Sequence, residues 1–357
     1  MIVHSLIDSV SIEGVSVALP TQRVPVSSFY PLFGEDVVDK FSDVTGVNSY
    51  HRSIPQQTAA DLGFEAALDL ISKSDVDTDE IKYLVFVTQK PDFRVPSTAF
   101  HLHQRLKLKE DCLCFDLNLA CSGFVYGLQV VSSLLQNAGK GKALLITGDT
   151  SHRTFSPVDR TLIMLFGDSG TATLIGNDPA SEQMHFALRT NGEKFKSIIT
   201  PSGAYRNRNA PVERVEWNDG IERSDYDTHM KGMDVFSFSI TDVPRLLKDF
   251  MASLDTTPDD YDCFALHQAN VYILKQIARK LKMSMEKIPI ALDRFGNNSS
   301  NSIPLVLADH FGGQNQGEKR IMMSGFGAGL SWACCDIHLS TKVIHPIIFT
   351  DKFFSPV

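Results

Sequence analysis

The 357-residue sequence predicts an α/β protein of two similar halves, each a largely parallel sheet covered by helices. Three observations predict it. Helix-period and strand-period segments alternate along the chain, and one order of segments is written twice. The composition, 43% apolar and 21% charged, is that of a protein with a substantial core.

The first copy begins at Thr58, where TAADLGFEAALDLISKS has helical spacing, an acidic turn DVDTDE follows, and a short apolar strand runs from Tyr83 to Thr88. A second helix, STAFHLHQRLKL from Ser97, leads into the strand CLCFDLNLA and an elbow at Ala120-Cys121-Ser122-Gly123. The same series returns later: a helix DVFSFSITDVPRLLKDFMASL from Asp234, the acidic turn DTTPDD, the strand YDCFAL, a helix from Val271, an expected strand IPIAL, and an elbow from Gly296 to Ser300. The acidic turns, at Asp79 and Asp259, lie 180 residues apart, and Cys121 and Asn297 lie 176 apart. Each copy closes on a glycine-rich turn and a strand, at 166–177 and 326–339. The expected organisation is an N-terminal half, 1–177, a C-terminal half, 178–340, and an unassigned extension, 341–357. The polar, aperiodic stretch Gly203 to Gly232 reads as an inserted surface loop.

Charge and composition exclude several function classes. Lys and Arg number 34 against 42 Asp and Glu, a net charge of −8, which argues against nucleic acid as a partner. The opening MIVHSLIDSV has no basic region followed by an apolar run, and no uncharged apolar stretch approaches the roughly 18 residues of a membrane span. A cytoplasmic protein with no membrane partner is expected. The six cysteines form no C-x-x-C pair, and no histidine completes a zinc site, so neither a disulfide framework nor a metal centre is expected.

Duplication directs attention to equivalent strand ends and helix starts, which carry Cys121, His267 and Asn297. Cys121 opens a helix, CSGFVYGLQVVSSLLQNAG, apolar on nearly all sides and therefore placed in a buried layer. A thiol at a helix start meets unpaired N–H groups and the positive end of the dipole, both favouring thiolate. The other five cysteines, Cys112, Cys114, Cys263, Cys334 and Cys335, read as small apolar residues. His267 ends a strand within ALHQAN, just before a helix opening at Asn270 or Val271, and so faces the carboxyl-end crevice where open α/β sheets keep ligands. His101 and His103, two apart on a helix, point in opposed directions and cannot share a metal. Asn297 lies in the elbow equivalent to that of Cys121. The turn Gly325-Phe326-Gly327-Ala328-Gly329 has the wrong spacing and the wrong following element for a dinucleotide fingerprint. Its bare backbone suits an N–H aimed at a developing oxyanion.

These motifs, LNLACSGFVYGL, ALHQAN, DRFGNNSSNSIP and SGFGAGLSW, together resemble those of thiolase-fold condensing enzymes, closest to β-ketoacyl-acyl-carrier-protein synthase III. The resemblance covers residues 1 to about 340 and implies a thiolase-like five-layered αβαβα fold and a homodimer. It implies Cys121 as nucleophile, His267 and Asn297 as donors to a thioester carbonyl, and backbone N–H groups of Cys121 and Ala328 as the oxyanion hole. Phe326, Gly327, Asn270 and Val95 would touch substrate, Val95 through the partner's acyl pocket. The reaction implied is acyl transfer to Cys121, then decarboxylative Claisen condensation with a malonyl thioester. No tightly bound cofactor is implied. Phosphopantetheine thioesters, acyl-ACP or acyl-CoA, are the substrates and acyl carrier protein the partner.

The chain departs from the family pattern at Val44, where an arginine is common, and at Tyr272, often basic and linked to carrier docking; Lys275, Arg279 and Lys280 are candidates to replace it. Thiolases use a second cysteine in the last glycine motif, absent here, and hydroxymethylglutaryl-CoA synthases use a glutamate near Gln89, an amide unfit as a base. A specialised acyltransferase or condensing enzyme acting without decarboxylation is an alternative. A papain-like cysteine hydrolase would share the Cys, His, Asn order but lacks the local C-G-S-C-W signature.

Overall fold

The computed structural model describes residues 4–74, 76–138 and 140–355. Two sheets carry the fold, and both are mixed rather than largely parallel as expected: Ser169–Asn177 in one, and Met184–Thr190 and Ser331–Ser340 in the other, run antiparallel to both their neighbours. A six-stranded sheet runs Ile348–Phe349, Val10–Leu19, Ser169–Asn177, Lys142–Asp149, Ile81–Val87, Leu113–Leu117, and a five-stranded sheet runs His4–Ile7, Met184–Thr190, Ser331–Ser340, Glu318–Gly327, Cys263–Leu266. Strands that follow a helical crossover pair in parallel, Ile81–Val87 with both Leu113–Leu117 and Lys142–Asp149, and Cys263–Leu266 with Glu318–Gly327. The chain's first strand pairs in the second sheet, against Met184–Thr190, and its last pairs in the first, against Val10–Leu19.

Between the sheets lie two helices, Gly123–Ala138 and Ser302–Phe311. Their apolar character follows from position: Phe124, Val125, Leu128, Val131, Ile303, Val306 and Leu307 are sealed against residues of both sheets in one core. The outer faces are covered by Ala59–Lys73 with Thr98–Arg105 on the first sheet, and by Gly232–Ser253 with Val271–Leu281 on the second. The result is the expected five-layered αβαβα order of a thiolase-like fold. Thr58 starts its helix with a reciprocal cap, its backbone N–H donating to Asp61 at 2.9 Å while Asp61 N–H donates to Thr58 Oγ1 at 3.3 Å.

Four expectations require correction. IPIAL is not a strand: residues 288–291 run beside Cys263–Leu266 without pairing, and the chain turns helical at Leu292–Phe295. Pro289 has no N–H for a ladder, and Gln268 substitutes for one, accepting from Ala291 N–H at 3.2 Å and donating to the Pro289 carbonyl at 3.4 Å. Helix Gly123–Ala138 starts two residues after Cys121, which sits in the turn before it. The strand before the last glycine turn continues through Gly327, and the turn is residues 328–330. The 203–232 stretch is anchored, with short ladders Val215–Glu216 on Glu222–Arg223 and Ile198–Ile199 on His229–Met230. Its anchor is the buried ion pair of Arg223 Nε with Asp159 Oδ2 at 2.6 Å.

The C-terminal extension closes over the first half. His345 Nδ1 meets Asp69 at 3.1 Å, Gln57 Nε2 donates to the Thr350 and Lys352 carbonyls, and Phe354 N–H donates to Asp61 at 2.9 Å. Arg105, ion-paired with Asp61 at 2.7 Å, lies over the rings of Phe64 and Phe354.

Removing one partner of a buried ion pair leaves a charge without compensation. Arg223→Met should lower stability by about 3–5 kcal/mol in urea unfolding, and adding Asp159→Asn should recover part of the loss.

Candidate active site

Cys121 and Asn297 precede the two central helices, His267 follows the strand Cys263–Leu266, and the three meet at one residue, Ser299. Its hydroxyl lies 3.8 Å from Cys121 Sγ, and its N–H donates to Asn297 Oδ1 at 2.9 Å. Its backbone carbonyl faces the His267 ring. Ser299 itself has φ +49°, the left-handed region that few residues other than glycine, asparagine and aspartate adopt readily.

The elbow is held across the boundary between halves. Asn297 N–H donates to the Leu165 carbonyl at 2.9 Å, and the Asn297 carbonyl accepts from Gly167 N–H at 3.0 Å. Asn301 Nδ2 donates to Ser169 O and Oγ, each at 2.8 Å, and its Oδ1 accepts from Thr147 Oγ1. Asn297 is 4% exposed; with Oδ1 engaged, its Nδ2 takes no protein partner among the described residues and is the donor left for a ligand.

His267 is buried at the end of Cys263–Leu266, its Nδ1 3.1 Å from Ser302 Oγ and its ring 5.2 Å from that of Phe326 in an edge-on contact. Burial pushes its pKa down to about 3, opposed only by the Ser299 carbonyl, so the ring is neutral at physiological pH. A neutral imidazole carries one N–H and one lone pair, and Nδ1 is paired with Ser302 Oγ.

Cys121 is half-buried. Here the expectation of a stabilised thiolate is overturned. Burial pushes the thiol up to about 12, and the hydrogen bond from Ser299 lowers it less than the lost hydration raises it. The nearby Asp149 carboxylate raises it further. Resting Cys121 is a thiol.

Gly327 passes so close that a Cβ placed on it would stand 2.7 Å from Cys121 Cβ and 3.1 Å from Sγ. The Ala328 carbonyl accepts from Ser331 Oγ at 2.8 Å, and Ser331 Oγ in turn meets Ser122 Oγ at 2.7 Å, tying the glycine turn to the residue after the thiol. Phe326, Gly327 and the Ala328 backbone are thus brought to the thiol and imidazole. Asn270 stands apart in role, its Oδ1 capping Val271–Leu281 by accepting Ile273 N–H at 2.7 Å. Val95 is 81% exposed on a loop rather than packed within this cluster. Sequence reasoning gave no role to Ser299 or to Asp149. The signal for Ser299 was its place two residues after Asn297; Asp149 offered none beyond ending a strand. Two surface cavities, of about 610 Å³ beneath the C-terminal extension and about 450 Å³ beside Arg52 and His152, lie away from the site. Among the described residues, no cluster of His, Cys, Asp and Glu could hold a metal, and no helix is long and apolar enough to cross a membrane.

A methyl group on Gly327 must displace Cys121. Gly327→Ala should slow covalent labelling of Cys121 at least tenfold with an unchanged far-ultraviolet circular dichroism spectrum. In nitrogen-15 NMR, His267 should stay neutral from pH 8 to pH 5, because its pKa lies far below that range.

Known proteins resemble this chain along most of its length. The family description 3-oxoacyl-[acyl-carrier-protein] synthase III matches residues 115–192, and its C-terminal counterpart matches 251–339. The chain is 32% identical to a Campylobacter jejuni protein provisionally named 3-oxoacyl-[acyl-carrier-protein] synthase 3, over 97% of this chain and 98% of that one. It is 32% identical to β-ketoacyl-[acyl-carrier-protein] synthase III of Streptococcus gordonii, over 82% of this chain and 87% of that one. A crystal structure of 3-oxoacyl-(acyl-carrier protein) synthase from Burkholderia xenovorans superposes with a TM-score of 0.90 at 30% identity, covering 98% of this chain and 99% of the other. On this agreement of sequence and fold, the chain belongs to the 3-oxoacyl-ACP synthase III family of thiolase-fold condensing enzymes.

Proposed function

We propose that the protein condenses an acyl group held on Cys121 with a malonyl thioester, releasing carbon dioxide. The single observation that carries this is the convergence of Cys121, His267 and Asn297 on Ser299. In the first half-reaction the Cys121 sulfur attacks an acyl thioester, and the N–H groups of Cys121 and Ala328 hold the oxyanion. In the second, a malonyl thioester places its carbonyl oxygen against His267 Nε2–H and Asn297 Nδ2–H. Loss of carbon dioxide drives electrons onto that oxygen, and two preorganised neutral donors stabilise the enolate without themselves titrating. The enolate carbon then attacks the acyl group and frees Cys121. A neutral imidazole suits this role, since it donates a hydrogen bond without surrendering a proton.

Acyl carrier protein is the partner we propose, with Lys275, Arg279 and Lys280, exposed on one helix, meeting its acidic surface. Tyr272, 48% exposed and stacked on Phe236, replaces a charge there with an aromatic face. A homodimer is supported by the open edge of Leu113–Leu117, beside which Phe93, Val95, Phe100 and Leu113 remain exposed. In such a dimer Val95 would enter the partner's pocket. Six free cysteines suit a reducing cytoplasm. The two halves, 1–177 and 178–340, are read as one duplicated unit serving a shared site.

The test is a panel of radiolabelled acyl-ACP and acyl-CoA thioesters with malonyl-ACP, acylation being mapped by mass spectrometry. Label on Cys121, carbon dioxide release and a longer product are expected; label without release would favour acyl transfer alone. Cys121→Ala should abolish labelling. His267→Ala and Asn297→Ala should each lower carbon dioxide release by roughly 10²–10³-fold while leaving Cys121 acylation measurable.

A further inference from the structure

The oxyanion hole proposed above draws on two backbone N–H groups from opposite halves of the chain, those of Cys121 and Ala328. Among the described residues the Ala328 N–H donates to no protein group, and the Cys121 N–H to none but its own sulfur. Two such donors can serve one oxygen only if the distance between them is fixed. Ala328 stands between Gly327 and Gly329, in a turn with little side chain to restrain its backbone. Something outside the turn has to hold it.

A chain of two buried hydroxyls does so. Ser331 Oγ donates its one proton to the Ala328 carbonyl at 2.8 Å. The 2.7 Å contact between Ser122 Oγ and Ser331 Oγ is therefore donated by Ser122. Ser122 is fully buried and Ser331 is 4% exposed, so little water reaches either hydroxyl. Ser122 is bonded directly to Cys121, and Ser331 opens the strand Ser331–Ser340 immediately after the turn. Close backbone approach supports the same alignment: a Cβ on Gly325 would stand 2.9 Å from the Cys121 carbonyl oxygen and 3.0 Å from Ser122 Cα. Asn191 secures the end of the turn, its N–H donating to the Leu330 carbonyl at 2.8 Å and its carbonyl accepting from Leu330 N–H at 3.0 Å.

We propose that Ser122 and Ser331 are positioning residues for acyl transfer, their hydrogen bonds locking the Ala328 backbone to the Cys121 turn and so setting the spacing and direction of the two oxyanion donors. The proposal rests on the reading of Cys121 as nucleophile and Ala328 as donor. The two hydroxyls are unequal. Without Ser331 both the Ala328 carbonyl and the Ser122 hydroxyl lose their partner in a buried place. Without Ser122 the bond to Ala328 survives, and only its link to the residue after the thiol is lost.

Two reagents applied to the full-length protein separate the donors from the thiol. p-Nitrophenyl acetate acetylates Cys121 through an oxyanion: sulfur bonds to the carbonyl carbon, the bond from that carbon to the aryl oxygen breaks, nitrophenolate leaves, and the thiol proton passes to solvent. Iodoacetamide alkylates the same sulfur at a saturated carbon, expelling iodide with no oxyanion. Cys121→Ala supplies the background for both. Ser331→Ala should slow acetylation roughly tenfold to a hundredfold, less than the roughly 10²–10³-fold cost of deleting a donor outright. Ser122→Ala should slow it by a smaller factor, and the double variant by no more than Ser331→Ala alone. Ser331→Thr, which keeps a hydroxyl, should recover most of the rate. Alkylation should be unchanged in every one of these serine variants.

Equal slowing of acetylation and alkylation would show that the hydroxyls only support the thiol, and wild-type acetylation in Ser331→Ala and Ser122→Ala would show that the donors are set without them. Either result overturns the proposal. Thermal unfolding reports whether each variant folds; should Ser331→Ala not fold, Ser122→Ala and Ser331→Thr carry the comparison. A wild-type Cys121 whose ratio of acetylation to alkylation is no higher than that of free cysteine would overturn the oxyanion hole, and a Cys121 inert to both reagents would overturn the nucleophile; the proposal falls with each, by a result distinct from its own failure.

Discussion

The hydrogen bonds that fasten the 297–302 elbow to the opposite half are the constraint on which the site depends. The elbow belongs in sequence to the second half, yet Leu165, Gly167, Thr147 and Ser169 of the first half hold its backbone and its Asn301 side chain. Most of these groups are buried, so each bond broken would leave a polar atom without water to replace its partner. That cost makes the elbow rigid. Rigidity is what allows a left-handed serine to persist and to face a thiol and an imidazole together.

Burial sets the protonation of every reactive group in the site. It favours thiol over thiolate and imidazole over imidazolium, and it raises the pKa of the Asp149 carboxyl against the opposing charge of Lys90. A resting site of neutral groups is easier to keep dry than one of ion pairs. Charge then appears when substrate brings it, on an oxygen that already has donors waiting. The helix dipole behind Cys121 works within this setting as a modest bias, smaller than the desolvation it opposes.

Much of the architecture was legible in the sequence because burial writes strong periodicity. The all-apolar run after Cys121 belongs between two sheets, and there it lies; Ala59–Lys73 carries its capping residues at the expected start. The strand ends at Cys121 and His267 were legible as chemistry because reactive groups rarely stand there for packing alone. IPIAL misled because a short apolar run has no periodicity of its own, and the deciding feature, a glutamine side chain in place of a ladder, is a contact between distant residues. Ser299 was illegible for the same reason: its contact with Cys121 depends on two elbows distant in the chain being brought face to face.

The exchange of terminal strands between sheets has a consequence for biogenesis. His4–Ile7 is made long before Met184–Thr190, its neighbour in the sheet, and the edge at Ala18 and Leu19 lacks its partner until Ile348–Phe349 is made. Neither half supplies every strand of its own sheet, so an unpaired β-edge persists until the strand from the other part of the chain has been made. Each sheet is thus completed by a segment distant in sequence.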